Sequence, residues 1–149
     1  MTKRLVYVFD LDGTICNTSH RKQYVQTKPK NWDAWNAGLV LDKPNVQVVN
    51  VLHGLFRSAF GILLVSGRSE DYRQETLDWL KKHNVVFDQL YMRKSKDHRA
   101  DDIIKGEIAD TIMKTNKILG VFDDRKRVVD MWIERGVFVF DVGQGAGDF

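Results

Sequence analysis

Two pairs of aspartates stand out because each pair directly follows an apolar run of the sequence. Asp10 and Asp12 follow the first run, and Asp123 and Asp124 follow a later one. Carboxylates brought together repel one another unless a cation joins them. Oxygen atoms are the ligands that Mg²⁺ prefers, and this ion commonly binds one or two carboxylates together with a substrate phosphate. The two pairs therefore indicate a magnesium site that serves phosphate chemistry.

A further polar group has the same placement, since Ser66 and Arg68 follow another apolar run. In open α/β sheets, ligands bind at the carboxyl ends of the strands, near the point where the strand order reverses. If these runs are parallel strands of one sheet, their polar residues meet at that edge. The sequence therefore predicts one site that is built from separate segments of the chain.

The apolar runs have the composition of strands that are buried on both faces of a sheet. They are continuous, rich in β-branched and aromatic residues, and bounded by polar residues or glycine, which is typical of a parallel sheet. The predicted strands cover residues 5–9, 62–65, 89–92, 118–122 and 137–140.

Segments of helical periodicity lie between the strands. The predicted helices cover residues 44–56, 69–83, 101–114 and 125–135. Their ends are marked by Pro44 in a first turn, by Ser69 as an N-cap and by Gly136 just after the last helix. Strands that alternate with such helices predict a single Rossmann-like α/β domain over residues 1–149, with a parallel sheet at its centre.

Composition places the chain among ordinary globular proteins. Its 149 residues are 43% hydrophobic and 29% charged, with a net charge of +3, and this length is enough to bury a real core. Cys16 is the one cysteine, which excludes an internal disulfide, and we expect it to fill space behind the first acidic loop. The amino-terminal apolar run is too short for a signal peptide or a membrane span, so we expect a cytoplasmic protein without a membrane partner.

Taken together, these residues resemble the haloacid dehalogenase (HAD) superfamily. Its four motifs are matched in order by Asp10-Leu11-Asp12-Gly13-Thr14, Ser66, Lys105 and Asp123-Asp124. The resemblance implies a five-stranded parallel sheet in the order 3-2-1-4-5, with helices on both faces. It also implies that Asp10 is the nucleophile and that Asp12 is first the acid and then the base.

The same resemblance implies the remaining parts of the site. Ser66 and Lys105 would hold the phosphoryl oxygens, where negative charge gathers in the transition state. Asp10, the backbone carbonyl of Asp12, Asp124 and the adjacent Asp123 would form the Mg²⁺ site.

Across essentially the entire chain, the sequence is most similar to the 3′-phosphatase half of the phage polynucleotide kinase/phosphatase family. The residues that carry this likeness are Arg21, Ser66-Gly67-Arg68, Arg93, Arg99, Asp101-Asp102-Ile103-Ile104-Lys105, Val121-Phe122-Asp123-Asp124-Arg125, Met131-Trp132 and Gly147-Asp148-Phe149. The likeness implies that Arg68 is an active-site arginine and that Arg21 and Arg93 contact substrate phosphate or nucleic acid. Asp101 would orient Lys105 or an arginine, and Gly67 would lie against the substrate.

The spacing leaves no room for a cap domain over the site, either in residues 15–61 or in residues 69–93. An uncovered site admits a large substrate such as the end of a nucleic acid strand. Basic residues gather in two segments that lead to this face: Arg21, Lys22, Lys28 and Lys30, and then Arg93, Lys94, Lys96 and Arg99. They could contact flanking phosphates or be ordinary solvated residues. For Trp32 and Trp35 we expect core packing, with base stacking as the alternative.

The resulting hypothesis is a Mg²⁺-dependent phosphatase of 3′-phosphate ends of DNA or RNA, acting in strand repair with a possible separate kinase or ligase partner. The sequence has no phosphate-binding loop of the kinase type, so we expect no 5′-kinase activity. The principal alternative is a phosphatase of nucleotides, small metabolites or phosphoprotein. A signalling receiver domain is disfavoured by the order of its acidic residues along the chain, and a non-catalytic nucleic-acid binder by the full set of catalytic residue types.

Overall fold

The strands of the fold form one parallel sheet and one short antiparallel ribbon. The computed structural model describes residues 2–144, and its strands are β1 (Arg4–Phe9), β2 (Cys16–Asn17), β3 (Lys43–Pro44), β4 (Gly61–Ser69), β5 (Gln89–Arg93), β6 (Asn116–Asp123) and β7 (Val139–Asp141). The main sheet has the order β5-β4-β1-β6-β7, with every neighbouring pair parallel. Counted along the five predicted strands, this is the order 3-2-1-4-5, which is confirmed.

Helices cover both faces of the sheet, as predicted. They are α1 (Gln23–Gln26), α2 (Trp32–Ala37), α3 (Val46–Arg57), α4 (Arg73–Lys82), α5 (Asp101–Met113) and α6 (Lys126–Glu134). Alternation along β1 shows how the layers are built, because successive side chains of a strand point to opposite faces. Phe9 packs into the cluster that includes Leu52 of α3 and Leu80 of α4. Val8 packs into the other cluster, with Ile112 of α5 and Trp132 of α6.

The helix ends mostly follow their sequence signals. The Ser69 side chain accepts a hydrogen bond from the Asp71 amide at 3.1 Å, where a short 3-10 turn leads into α4. Gly136 follows α6 with a φ of 77°. Pro44, in contrast, does not lie in a first helical turn. It belongs to β3, which pairs with β2, and α3 begins two residues later.

Strand β4 is longer than its apolar run predicts. It continues through Ser66, Gly67 and Arg68 to Ser69, where it pairs with Arg93 of β5 after a shift in register. The polar residues therefore lie within the last part of the strand and not in a loop beyond it. This continuation fixes their backbone against two neighbouring elements.

The segment between β1 and β4 contains the β2–β3 ribbon, the short helices α1 and α2, and α3. Within the described residues it has no sheet large enough for a cap domain with its own core, as predicted. No helix within residues 2–144 is both long enough and apolar enough to cross a membrane. The last segment of the family likeness, Gly147-Asp148-Phe149, lies outside the described residues.

Candidate active site

The carboxyl ends of β1, β4 and β6, which are neighbours in the sheet, open into one cleft of about 580 Å³. The residues predicted for the site that line this cleft are Asp10, Asp12, Gly67, Arg68, Arg93, Asp101, Lys105, Asp123 and Asp124. The strand order reverses at β1, so the cleft lies where ligands bind in open α/β sheets. The structure thus brings together residues that are more than a hundred positions apart in the sequence.

The loop after β1 is a tight turn that points Asp10 into the cleft. The Asp10 amide still donates to the Phe122 carbonyl of β6 at 2.9 Å, so the sheet holds the residue in place. Gly13 has a φ of 83°, and a Cβ atom at this position would lie 2.0 Å from Oδ2 of Asp124. The turn therefore requires glycine both for its backbone conformation and for the close approach of Asp124.

Hydrogen bonds tie the same loop to its surroundings. The Thr14 hydroxyl donates to Oδ2 of Asp10 at 3.1 Å. Asn45, just before α3, donates its side-chain amide to the Thr14 carbonyl at 2.8 Å. The Asn45 amide also donates to the Ile15 carbonyl at 2.8 Å. The position of the Asp10 carboxylate is therefore set by β6, by Thr14 and by the start of α3.

Lys105 lies in the first turns of α5 and reaches the centre of the site. Its Nζ atom donates to Oδ1 of Asp10 at 2.8 Å and to Oδ2 of Asp123 at 3.0 Å. The side chain is only 3% exposed. Burial alone would lower the pKa of Lys105, but the carboxylates of Asp10 and Asp123 outweigh this effect and raise the pKa above its ordinary value. A buried ammonium group beside the Asp10 carboxylate can balance negative charge that gathers there.

The carboxylates of Asp10, Asp123 and Asp124 form an acidic cluster whose oxygen atoms lie within 4.8 Å of one another. Burial and the charge of Asp10 raise the pKa of Asp123 and of Asp124 above the ordinary value. The raised pKa values reflect both burial and the repulsion between these negative charges, and a bound divalent cation would offset that repulsion. The donor set of hard oxygen atoms fits Mg²⁺.

The two neighbouring aspartates differ in how much of their carboxylate is already used. Oδ1 of Asp123 accepts from the amides of Asp124 and Arg125, and its Oδ2 accepts from Lys105. Oδ1 of Asp124 lies 3.4 Å from Oγ1 of Thr14, whose single proton is already donated to Asp10. Asp124 is therefore the better placed of the two to bind a cation directly, while Asp123 orients Lys105.

Asp12 is held by two arginines. Its Oδ1 accepts from Nη2 of Arg21 and from Nη2 of Arg68, each at 2.6 Å, and 20% of its side chain is exposed. Burial would raise the pKa of Asp12, but the guanidinium groups of Arg68 and Arg21 lower it below its usual range. Asp12 is therefore an ionised carboxylate with a fixed orientation that lines the cleft.

Arg21 lies beneath the site and not on the wall of the cleft. It is 1% exposed, and its Nε and Nη2 atoms donate to the two oxygens of Asp42 at 2.8 and 2.6 Å. Its Nη1 atom donates to the Trp35 carbonyl at 2.9 Å. A substrate contact requires donors that face the cleft, whereas those of Arg21 are engaged by the protein. The family likeness implied that Arg21 contacts substrate phosphate or nucleic acid. In the structure its guanidinium group contacts Asp12 and does not face the cleft.

Ser66 is buried in the last part of β4, and its hydroxyl accepts a hydrogen bond from the Arg68 amide at 3.1 Å. Gly67 follows it at the cleft, where an added Cβ atom would lie 2.6 Å from Oδ1 of Asp101. A side chain at Gly67 would therefore displace the Asp101 carboxylate from its place beside β4.

Arg93 and Asp101 form the other polar network of the site. Arg93 donates to Asp101, to the Gly67 carbonyl at 2.8 Å and to the Asp97 carbonyl at 3.0 Å. Asp101 also accepts from Nη1 of Arg125 at 2.6 Å. Asp101 thus orients two arginines through hydrogen bonds. Arg93 in turn holds the loop between β5 and α5 against the end of β4.

Some residues of the site carry no signal that the sequence alone could show. Asp42 is buried between a 3-10 turn (Gly38–Leu41) and strand β3. Its carboxylate pairs with Arg21 and with His20, each at 2.6 Å. A single aspartate in a polar loop resembles any solvated residue until the fold brings it to Arg21. Arg125 differs from Asp42, because it was among the residues of the family likeness but was given no role, and the structure brings it to Asp101.

Asp12, Cys16 and Asp42 offer a second group of possible ligand atoms. Arg21 and Arg68 already neutralise its carboxylates. Burial raises the pKa of the Cys16 thiol, so the thiol stays neutral and is a poor metal ligand. Cys16 therefore fills space behind the loop, as its sequence context predicts.

The fold and the convergent aspartates define a class of protein, the HAD-type hydrolase domain. Residues 4–149 match the family described as the phosphatase domain of polynucleotide kinase PNKP. The chain belongs to this family. The match covers all the residues that build the cleft.

Similar solved structures agree with the family. A structure described as the Pnkp1/Rnl/Hen1 RNA repair complex is 30% identical, with a TM-score of 0.82 over 93% of this chain and 42% of that one. A second Pnkp1/Rnl/Hen1 structure is 30% identical, with a TM-score of 0.83 over 95% of this chain and 46% of the other. A class C acid phosphatase from Bacillus anthracis is 16% identical, with a TM-score of 0.70 over 99% of this chain and 70% of its own. At that identity the likeness concerns the fold alone.

Among curated proteins, the chain is similar to one from Autographa californica nuclear polyhedrosis virus, named "Putative bifunctional polynucleotide kinase/RNA ligase". The two are 28% identical over 126 residues, which is 83% of this chain and 17% of that protein. The chain thus spans less than half the length of the repair proteins that it matches.

Proposed function

We propose that this domain is a Mg²⁺-dependent polynucleotide 3′-phosphatase that acts in nucleic-acid repair through a covalent phosphate on Asp10. The observation that carries the proposal is the position of Asp10, which lies between the Lys105 ammonium group and Asp124 at the floor of an open cleft. A carboxylate so placed can attack the phosphorus atom while a cation balances the phosphoryl oxygens.

In the first half of the reaction, an oxygen of Asp10 attacks phosphorus and the bond to the 3′ oxygen of the substrate breaks. The departing oxygen takes a proton from Asp12. The arginines keep Asp12 ionised before substrate binds. An incoming phosphate places negative charge beside Asp12, and this raises the pKa of Asp12 and favours uptake of the proton that it then delivers.

In the second half, Asp12 is again a carboxylate and removes a proton from water. The water oxygen attacks phosphorus, the bond to Asp10 breaks, and inorganic phosphate leaves. Arg21 and Arg68 orient Asp12 for both steps, since each donates to it. Ser66 and Lys105 hold the phosphoryl oxygens in our proposal, and Arg93, Gly67 and Asp101 shape the wall against which the substrate lies.

The acidic cluster would hold the divalent cation through the Asp10 carboxylate, the Asp12 backbone carbonyl and Asp124. Bound there, Mg²⁺ supplies charge that neutralises the phosphoryl oxygens as the transition state forms. Asp123 keeps Lys105 in place and adds to the negative field of the site. All other steps use groups of the chain itself.

The substrate assignment rests on the open cleft and on the repair proteins that the chain resembles. Two of those structures are described with Pnkp1, Rnl and Hen1, and the viral relative is named for kinase and ligase activities. We therefore propose 3′-phosphate ends of RNA or DNA as the substrate, in the cytoplasm, with kinase and ligase activities as functional partners.

The proposal is tested by comparing hydrolysis rates on a 3′-phosphorylated oligonucleotide (as RNA and as DNA), a 3′-mononucleotide and a small aryl phosphate. We expect kcat/KM to be highest for an oligonucleotide end. Activity should stop with excess chelator and return with Mg²⁺. A preference for the small esters would instead favour a phosphatase of nucleotides or metabolites.

The covalent step is tested with Asp10→Asn, which removes the nucleophilic oxygen while keeping the side-chain shape. We expect no detectable turnover, and a single-turnover reaction of the wild-type chain should add one phosphoryl group to the protein by intact mass. Asp78→Asn, an exposed change on α4, is the matched control and should keep full activity. Wild-type turnover in Asp10→Asn would exclude the covalent mechanism.

A further inference from the structure

Trp32 differs from the other tryptophans of the chain in its exposure to solvent. Trp35, Trp79 and Trp132 are buried, whereas Trp32 is 46% exposed. An indole side chain can bury about 150–250 Å² of surface, so its burial normally contributes strongly to folding. One exposed apolar residue needs no functional reason by itself, and its position is therefore what matters.

That position is the cleft of the candidate site. Trp32 lines it together with Asp10, Asp12 and Lys105. The cleft volume of about 580 Å³ falls within the range of roughly 300–1,000 Å³ that is typical of sites for whole small molecules. Space therefore remains beside the phosphate for the group that carries it.

Helix α2 holds Trp32 in a fixed relation to Asp12. Trp35, three residues on, packs inward with the Arg21 guanidinium carbon 4.2 Å from its ring centroid. The Trp35 carbonyl accepts from the same guanidinium at 2.9 Å, and Arg21 in turn donates to Asp12. The Asn31 side chain caps the start of the helix by accepting the Ala34 amide at 3.1 Å. The helix that carries Trp32 is thus held by the same arginine that positions Asp12.

The surroundings of the indole suit a partner that is both flat and anionic. The Lys30 Nζ atom lies 5.4 Å from the centroid of the Trp32 ring. Lys96 lines the same cleft. Aromatic side chains with nearby cations are the means by which proteins bind single-stranded nucleic acid, since bases stack on the rings and cations contact the backbone.

We propose that Trp32 is the stacking platform for the base of the nucleotide that carries the 3′-phosphate. It determines specificity by favouring a nucleotide end over a small phosphate ester at the same catalytic groups. This inference rests on the proposed 3′-phosphatase function and adds the residue that recognises the terminal base. Because stacking has no hydrogen-bond readout, all four bases should be accepted with modest differences.

The experiment uses two oligonucleotides that differ only in their last residue, which is either a normal 3′-phosphorylated nucleotide or a 3′-phosphorylated abasic residue. The value of kcat/KM is measured for both ends with the wild-type chain, Trp32→Ala, Trp32→Phe and Phe56→Ala. Phe56 is an exposed aromatic residue on α3 that does not line the cleft, so its truncation is the matched control. Protein and substrate changes form a double-mutant cycle, which isolates the contact between ring and base.

We expect the wild-type chain to prefer the base-bearing end, and Trp32→Ala to reduce that preference by roughly 5- to 150-fold, the usual worth of one stacked base. Trp32→Phe should retain most of the preference, and Phe56→Ala should retain all of it. The inference is overturned if the preference is unchanged in Trp32→Ala, or if the wild-type chain shows none. Hydrolysis of small esters without hydrolysis of either oligonucleotide would show instead that the proposed function itself has failed.

Discussion

At the scale of single residues, the chemistry depends on how buried charges are paired. Lys105 and Asp10 are paired across 95 positions of the sequence, and Arg21 and Asp42 across 21. The first pair could be anticipated because both residues belong to motifs with a fixed order. The second could not, since neither the spacing nor the local composition distinguishes Asp42 from a solvated aspartate. Sequence patterns reveal residues that react, and reveal less often those that hold them in place.

Arg21 provides a test of this positioning role. Arg21→Ala leaves Asp42 buried without its bidentate partner, and breaking a buried ion pair in this way costs roughly 3–5 kcal/mol. We expect that loss in the free energy of unfolding, measured by urea denaturation. Arg57→Ala, an exposed change on α3, should stay within about 0.5 kcal/mol of the wild-type value. A similar small effect for both variants would show that Arg21 is not a structural partner of the site.

The more conservative Arg21→Lys separates chemistry from folding. Lysine keeps the charge but lacks the planar fork that binds Asp42 and Asp12 together. We expect kcat to fall more than KM changes, because in the proposed mechanism Asp12 acts in the chemical steps and not in binding the substrate. A rise in KM at unchanged kcat would instead place Arg21 among the substrate contacts.

At the scale of elements, the sequence predicted type and order well and boundaries less well. Five strands and four of the helices have a clear period or a continuous apolar run, and they were found. The extension of β4 beyond its apolar residues was missed because it depends on pairing with Arg93 across the sheet. Pro44 was assigned to a helix, since its preference for a first turn is local, whereas its pairing in β3 is a tertiary contact.

Three glycines allow the turn of the nucleophile loop to be tested by the same change to alanine. Gly13 combines a positive φ with the close approach of Asp124, Gly136 has a positive φ in open space, and Gly54 lies in α3 in open space. We expect Gly54→Ala to stabilise the fold by about 0.5–1 kcal/mol. Gly136→Ala should destabilise it by roughly 1–2 kcal/mol without loss of activity.

Gly13→Ala should destabilise the fold at least as much as Gly136→Ala does. It should also reduce activity by at least about 100-fold, since a displacement of catalytic groups by about 1 Å has that effect. Thermal unfolding and turnover of a 3′-phosphorylated oligonucleotide measure the two parts. Equal activities for the Gly13 and Gly136 variants would mean that the approach of Asp124 to the loop is not needed for catalysis.

At the scale of the whole molecule, the net charge of +3 is too small to attract nucleic acid over long distances. Any attraction must come from cations near the cleft, such as Lys30 and Lys96. Contacts to flanking phosphates release counterions, so log(kcat/KM) for an oligonucleotide should fall with log salt by about 0.7 for each phosphate contacted. For a small ester at the same Mg²⁺ concentration, the fall should be shallower.

The variant Lys96→Ala should reduce the salt slope measured with the oligonucleotide by about 0.7. Lys117→Ala, at the far end of β6, should leave that slope unchanged. Identical slopes for both substrates would show that the cleft recognises the terminal phosphate alone and that no flanking nucleotide contributes through its charge.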